Sequence, residues 1–599
     1  MSSKVMVGLE IHIQLGGRKL FCNCKTESSN ETGKTVERRL IATTGESGKY
    51  DPAAVYEKSR ERSFKYSLTD NSCLLELDEE PPHNINPEAL RKALAMSMAL
   101  NCKVVDRVSY MRKIVIDGSN TSGFQRTSIV GFNGYVETSN GPVGISTICL
   151  EEDSCRKIEE KNGVVHYSLD RLGVPLLEIA TEPDIIDEDH AVETAEIIGK
   201  KLILSGWARK APDAIRQDVN FSMGFGRVEI KGVPKLSTIR SAISYEKERQ
   251  TWLAELAPKF KGTDWERIKF QDVTEMFRQT KSKVIARNLK AGMSVYGTVL
   301  PGLAGFLKNG SYKMGKELAD VAKLFGSGGI MHSDELPGYG VEDELPKLQE
   351  LLKPGEGDGY TIIVSTPRII GLIEDSMKSR LKKLERMDLP ETRVVSDDGS
   401  THLLRPLPGG ERMYPETDIQ SIPLDAILLE NAARIIPKSE EQLISELISS
   451  YGISKQDASV IISSGKAQSL KEYTGLLQNS KLATRIILQA LPEMEKKTGE
   501  TISETELLPL LEEAGKRKWD RQILERALDL YFVDKLPLAN LLSSEMIKPL
   551  EGDELKSMIE NLDSEEPVDP KNIVPRIRAK TNRPFNPADA IKLVREISQ

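Results

Sequence analysis

Residues 5–15 constrain the fold more than any other stretch of the chain. Val5, Val7, Leu9, Ile11, Ile13 and Leu15 alternate with Met6, Gly8, Glu10, His12 and Gln14. Strict period-2 alternation predicts a strand with one apolar face turned to a core. The opposite face carries a carboxylate, an imidazole and a carboxamide in a row. Residues i and i+2 on a strand share a face, roughly 7 Å apart. Burying such groups costs free energy unless something binds them. A divalent cation with a phosphorylated ligand meets that need.

Three further segments repeat the pattern. In the run ending LEEDSC, Ile145, Thr147 and Cys149 are expected on one face and Ile148 and Leu150 on the other. At least one of Glu151 and Glu152 then shares a face with polar neighbours. In IRQDVNFSM, Ile215, Val219, Phe221 and Met223 share one parity, while Arg216, Asp218, Asn220 and Ser222 share the other. In RVEIKG, Val228 and Ile230 are expected to pack, with Glu229 and Lys231 facing away. The glycine-containing MGFG between the last two predicts a hairpin. Any one of these strands is read equally well as a solvent-facing surface. Four together argue for a magnesium-dependent phosphoryl site. The segment YMRKIVIDGSNTSGFQRT supplies donors for phosphate in Arg112, Lys113 and Arg126, with Gly118 and Gly123 allowing close backbone approach.

Other candidates carry less. SSNETGKT, from Ser28 to Thr35, looks like a phosphate-binding P-loop, but Ser28 replaces the first glycine and no buried strand leads into it. Cys22 and Cys24 form a lone Cys-x-Cys, and nothing in the spacing fixes Cys73, Cys149 or Cys155 beside them. His83 and His332 fall in loops, where a hydrogen-bonding role is the ordinary one.

At 599 residues the chain is too long for a single core. A net charge of −8 excludes a uniformly basic nucleic-acid binder, though not a local basic surface. Six cysteines are few for this length and fit a reducing compartment. With no signal-peptide core and no apolar run long enough for a bilayer, the expectation is a cytoplasmic protein without a membrane partner. Two helices have legible ends. One starts at Asn86 as N-cap, with Pro87 and Glu88 after it, and runs to Leu100. The other runs from about Asp189 to Ser205 with Gly206 as its stop, and Ala191, Ala195, Ile198 and Leu202 form its apolar face. Residues 282–392 change character, with frequent Gly and Lys and a strand-like YTIIVST, and read as a self-contained α+β insert. From about Pro423 onward the apolar spacing is helical. A boundary is placed near Gly515, before the basic GKRKW, and the last segment, IVPRIRAKTNRPFNPADAIKLVREI, is locally basic.

The segments GLEIHIQLGGRKLFCNC, LEEDSCRKI, SLDRLGVPLLEIATEPDI, IRQDVNFSM, VEIKGV and SAISYEKERQ resemble, over nearly all of the first region, a transamidase family. That family includes the B and E subunits of tRNA-dependent amidotransferases. MYPETDI resembles the family's later Tyr-Phe-Pro-Glu-Pro-Asp segment. YGTVLPGLAGFL, KELADVAKLFG and GGIMHSDELPGYG are similar to a domain shared by archaeal E subunits and bacterial aspartyl-tRNA synthetases. IDGSNTSGFQRT also resembles the E branch.

The resemblance implies an α+β multidomain fold. Residues 1–280 and 393–430 would form a catalytic cradle of mixed and antiparallel β-sheet with helices. Residues 281–392 would be the aspartyl-tRNA-synthetase-like insert, 431–514 a helical domain and 515–599 a helical tRNA-binding tail. It also implies the chemistry of a glutamine-hydrolysing glutaminyl-tRNA synthase. ATP would phosphorylate the glutamate side chain of Glu-tRNA(Gln), and ammonia would displace the phosphate. The ammonia would come from an asparaginase-like glutaminase, the family's D-type partner, in a hetero-oligomer in which that partner is dimeric. Carried over motif by motif, Glu10, His12, Glu151, Glu152, Asp218, Asn220 and Glu229 would surround Mg²⁺. Glu10, His12, Glu152, Asp218 and Arg171 are the catalytic candidates, Arg171 toward the substrate carboxylate or phosphate. Lys113 and Arg126 are candidates for ATP or the tRNA acceptor end. Two departures stand out. IVIDGSNTSGFQ replaces the ATP segment of the B branch, and the cysteine pairs that could hold zinc in some members of that branch are incomplete, so no zinc is expected. Two other readings remain open: a tRNA-binding protein without kinase chemistry and a metal-stabilised scaffold.

Overall fold

The structure, a computed structural model, describes residues 4–597 apart from Ser28, Asn162, Pro212 and Ser311. The chain divides into two compact units between Pro437 and Lys438.

In the first unit the strand Met6–Gln14 lies in the middle of an 11-stranded sheet. To one side of it follow Ile215–Ser222, Val228–Val233, Glu391–Val395 and Thr401–Pro406. To the other follow Pro175–Thr181, Gly141–Glu152, Phe124–Thr138, Met111–Ile114 and Met413–Pro415. The sheet is antiparallel except where Val228–Val233 runs parallel to Glu391–Val395. Val7, Leu9, Ile11, Ile13 and Leu15 are buried on one face of it, as their alternation requires. The helices Pro87–Ala99, Glu188–Ser205 and Leu236–Leu256 bring Leu90, Ala93, Ile198, Leu202, Ile239 and Ile243 into the core shared with these residues. The other face is free to carry polar chemistry.

Local signals explain the helix ends. The Asn86 side chain accepts from the N–H groups of Glu88 and Ala89, and Pro87 occupies the first turn. The second helix starts slightly earlier than its apolar pattern implies. Asp187 caps it by accepting from His190 N–H, and Gly206 ends it at φ 68°. One alternation fails. Ile145 is buried together with Ile148 and Leu150, not opposite them. A register shift pairs Ala180 with Thr147 but Thr181 with Ile145, so Ser146 is an extra residue. Such a bulge reverses the facing of everything beyond it.

Residues 271–365 contain a separate four-stranded sheet, and helices 314–324 and 367–385 pack with it. This insert is not closed on itself. Its core includes Phe225, Trp252, Leu253 and Leu256 from before it. A buried ion network also ties it to its surroundings. Arg249 donates to Glu246, Glu317 and Glu391, while Arg380 bridges Glu317 and Glu391. Arg393 joins through Glu391 at 2.7 Å.

The second unit is helical, with side-chain caps from Ser439, Ser454, Asn479 and Asp520. Gly515 lies inside the helix Glu504–Lys516, so a boundary there would cut an element. The last helices enclose a small core of their own, from Leu550 to Val594. Its basic look is partly structural. Arg576 donates to the carbonyls of Leu562, Glu566 and Pro567, and Arg583 to those of Lys548 and Pro549.

Candidate active site

The polar face of the central sheet gathers residues that are far apart in the chain. Register explains how. Glu10 pairs with Asp218, Gly8 with Asn220, and His12 with Glu178. Asn220 pairs with Glu229, and Glu178 with Cys149. Directly paired residues share a face, so Glu10, His12, Asp218, Asn220, Glu229 and Glu178 project together. Glu151, two residues beyond Cys149, follows on the same side.

Two overlapping groups result. Ligand atoms of Glu10, His12 and Glu178 lie within 4.8 Å of one another, and so do those of Glu10, Asp218 and Glu229. Glu10 belongs to both. Asn220 Nδ2 donates to Glu10 Oε1 at 2.9 Å. Lys231 Nζ lies 2.9 Å from Asp218 Oδ2 and 2.7 Å from Glu229 Oε1. His12 Nε2 lies 3.4 Å from Glu178 Oε2. Next along the sheet, Lys113 Nζ donates to Glu151 Oε1 at 2.6 Å, and Thr127 and Gln125 donate to the same carboxylate.

Electrostatics follow from crowding acids on a largely buried face. Burial, then the neighbouring charges of Glu178 and Glu229, push Glu10 above the usual carboxyl value. Burial alone would raise Asp218 and Glu229 too, but Lys231 reverses this and holds both below it. Glu178 is likewise held low, because Lys113 and His12 outweigh its burial. Burial disfavours imidazolium at His12, yet the contact with Glu178 raises it overall.

The donor set fits a hard divalent cation: carboxylate oxygens, one imidazole and one carboxamide oxygen. Two buried polar atoms support the fit. His12 Nδ1 and Asn220 Oδ1 have no hydrogen-bond partner among the described residues, and a buried polar atom without a partner is costly.

Glu152 and Arg126 lie elsewhere. Neighbouring strand residues face opposite ways, and Glu152 turns from Glu151 to the other side of the sheet. There it accepts from Arg126, whose Nε also donates to Glu416 at 2.7 Å. These two residues line a small enclosed cavity with Lys19, Phe21 and Glu76. Arg112 is likewise paired, with Glu416 at 2.6 Å and Asp418 at 2.9 Å. The MYPETDI segment thus supplies the acids that occupy two of the basic groups expected at phosphate. Arg171 donates to the carbonyls of Ser154 and Cys155 and lies 3.5 Å from Asp153. It fixes the loop after Glu152. Asp153 in turn pairs with Arg216 at 2.9 Å.

A family model for the GatB/GatE catalytic domain matches residues 5–430. A Thermoplasma volcanium protein named as the E subunit of glutamyl-tRNA(Gln) amidotransferase is 47% identical over 593 residues, covering 98% of this chain and 99% of that protein. Its namesake from Thermoplasma acidophilum is 46% identical over 596 residues, covering 99% and 98%. The one from Methanopyrus kandleri is 41% identical over 510 residues, covering 82% and 79%. The chain belongs to the GatB/GatE family, in its GatE branch.

The GatB/GatE match spans every residue of the polar face described above. Two of those residues, Glu178 and Lys231, escape the reading of the sequence as site residues, although their motifs do not. Both carry a signal. Glu178 alternates with Leu177 and Ile179, and Lys231 follows Glu229 by two. The fold also assembles what cysteine spacing leaves apart. Ligand atoms of Cys22, Cys24, Cys73 and Glu76 lie within 4.8 Å of one another. Glu76 is already satisfied, by Lys19 at 3.3 Å, Cys22 Sγ at 3.1 Å and Cys73 N–H at 2.7 Å. Of the P-loop-like stretch, Ser28 lies outside the described residues, and Glu31–Arg38 is a strand, not a phosphate loop. His83 is paired with Glu80 at the surface, and His332 is buried in the insert. No helix of the described residues is long and apolar enough to cross a membrane.

Proposed function

We propose that this chain is the transamidase component of a tRNA-dependent amidotransferase that converts Glu-tRNA(Gln) to Gln-tRNA(Gln) with ATP. The observation that carries the reading is the pair of ligand groups sharing Glu10, with His12 Nδ1 and Asn220 Oδ1 unpaired beside them. Family membership gives that cluster its reaction.

Glu10, His12, Asp218, Asn220 and Glu229 would hold Mg²⁺, with Glu178 and Glu151 on the same face. The cation supplies charge stabilisation for phosphoryl oxygens. The glutamate carboxylate of the charged tRNA attacks the γ-phosphorus of ATP, giving an acyl phosphate and ADP. Ammonia then adds to the acyl carbon, phosphate leaves with the bonding pair, and the nitrogen gives up a proton. The chain's own residues set the geometry. Glu178 orients His12 through Nε2. Lys113, beside Glu151, would meet a phosphoryl oxygen. Arg171 and Arg216 hold Asp153 and its loop against the edge of the site. Glu152 and Arg126 act from the far face by locking the Glu416 segment to the sheet. The ammonia would come from a glutaminase partner, and the second unit would hold tRNA. We read the α+β insert as the synthetase-like module of this branch.

The test supplies the purified chain, with and without a glutaminase partner, with Glu-tRNA(Gln), ATP, Mg²⁺ and free ammonia. Gln-tRNA(Gln) should form without the partner. Glu10→Ala or Asp218→Ala should lower the rate about 100-fold or more while tRNA affinity stays within a few-fold. Full activity in either variant would refute the assignment.

A further inference from the structure

Lys231 lies on the polar face, and the proposed chemistry does not explain its position. Its ammonium sits between Asp218 and Glu229, at 2.9 and 2.7 Å, where those carboxylates and Glu10 converge. Three carboxylates this close need a positive charge among them. In this structure the charge is the chain's own.

The backbone there is specialised. Val219 pairs with Ile230, but Gln217 pairs with Val233, so Lys231 and Gly232 together oppose the single residue Asp218. Gly232 has φ 72°, the left-handed conformation that favours glycine. The bulge fixes the Cα of Lys231 and aims the Gly232 N–H at Asp218 Oδ1, at 2.8 Å. Glu229 has a second donor too, Thr392 Oγ1 at 3.0 Å. Each carboxylate therefore keeps a hydrogen bond if the ammonium leaves. Exposure points the same way. The Lys231 side chain is 32% exposed, against 10% for Asp218 and 12% for Glu229. The most exposed side chain of the three, Lys231 carries its ammonium on a flexible stem that can swing without disturbing the core.

We propose that Lys231 is a resident counter-cation: it holds Asp218 and Glu229 in place before a divalent cation binds, yields them to that cation, and turns to the phosphoryl oxygens of the nucleotide. This rests on the metal-centre reading above. It differs from a scaffold role in the sign of one effect. A scaffold lysine, once removed, weakens metal binding. A competing lysine, once removed, strengthens it.

The test is calorimetric titration of the whole chain with Mn²⁺ in the absence of nucleotide, then with a non-hydrolysable ATP analogue and Mg²⁺. If the ammonium occupies the acids more than about nine-tenths of the time, Lys231→Met should bind Mn²⁺ about tenfold more tightly than the wild type. It should bind the analogue more weakly. Lys231→Gln, which keeps the polar tip and guards against a folding defect in the Met variant, should shift both affinities in the same directions. Lys231→Arg, which keeps the charge, should hold Mn²⁺ affinity near the wild-type value. Unchanged or weaker Mn²⁺ binding in both neutral variants overturns the proposal and leaves the metal centre standing. A wild-type chain that binds no Mn²⁺ overturns the metal centre itself, and the proposal with it.

Discussion

At the scale of single residues, the site depends on groups that hold other groups in place. Glu178 lies 3.4 Å from His12 Nε2 and is one of the acids that raise that imidazole. Metal-ligating histidines are generally oriented by such an acceptor on the other ring nitrogen. We expect Glu178→Gln to lower Mn²⁺ affinity about 10–100-fold, read by titration, with little change in unfolding temperature. Unchanged affinity would mean that His12 is oriented by something else. Glu10, His12, Asp218, Asn220 and Glu229 stand out in the sequence because strand alternation sets them opposite an apolar face and because their motifs resemble those of the family. Glu151 and Glu152 show the limit of that logic. Alternation says that the two acids face opposite ways, but only the register with Thr127 and the pairing with Arg126 say which one shares the face of Glu10. Lys113, Arg112 and Arg126 look alike in sequence. Their different acidic partners, Glu151 for the first and Glu416 for the others, are set by strand pairing at long range, over about three hundred residues for Glu416.

At the scale of elements, local signals decide what is legible. The caps Asn86 and Gly206 and the hairpin joining Asp218 to Glu229 follow from a few neighbouring residues. The bulges at Ser146 and Gly232 do not, since an extra residue in a strand is visible only against its partner. Nor does the ion network that joins the insert to the sheet, because Arg249, Glu317, Arg380 and Glu391 come from elements that meet only in the folded chain. The network should set part of the acid limit of stability. Burial would raise Glu391, but Arg380, Arg249 and Arg393 overcome it and lower its carboxyl from 4.5 to about 2. A carboxyl depressed on folding stabilises the fold above its unfolded value and loses that contribution as pH falls through the folded one. Glu391→Gln should therefore cost about 3–5 kcal/mol near neutral pH, since buried arginines lose a partner. The gap between variant and wild type should narrow from about pH 4.5 down toward pH 2. Denaturant unfolding at several pH values measures it, and a gap independent of pH would contradict the electrostatic account.

At the scale of the whole molecule, the break between Pro437 and Lys438 separates two units with their own cores. The first contains every residue of the proposed centre. A chain ending at Pro437 should fold, bind Mn²⁺ as the full chain does, and lose about tenfold or more in tRNA affinity as basic contacts to the backbone disappear. Filter binding and titration on the same preparation test both halves of this statement. Retained tRNA affinity would place the tRNA surface on the first unit. The central claim is that acids and an imidazole from separate strands meet around one hard cation on the polar face of the sheet. The most direct measurement is anomalous diffraction from crystals soaked in Mn²⁺. The account predicts a peak within bonding distance of Glu10, His12 and at least one of Asp218 and Glu229. A peak held only by other residues, or none at that face, would contradict it.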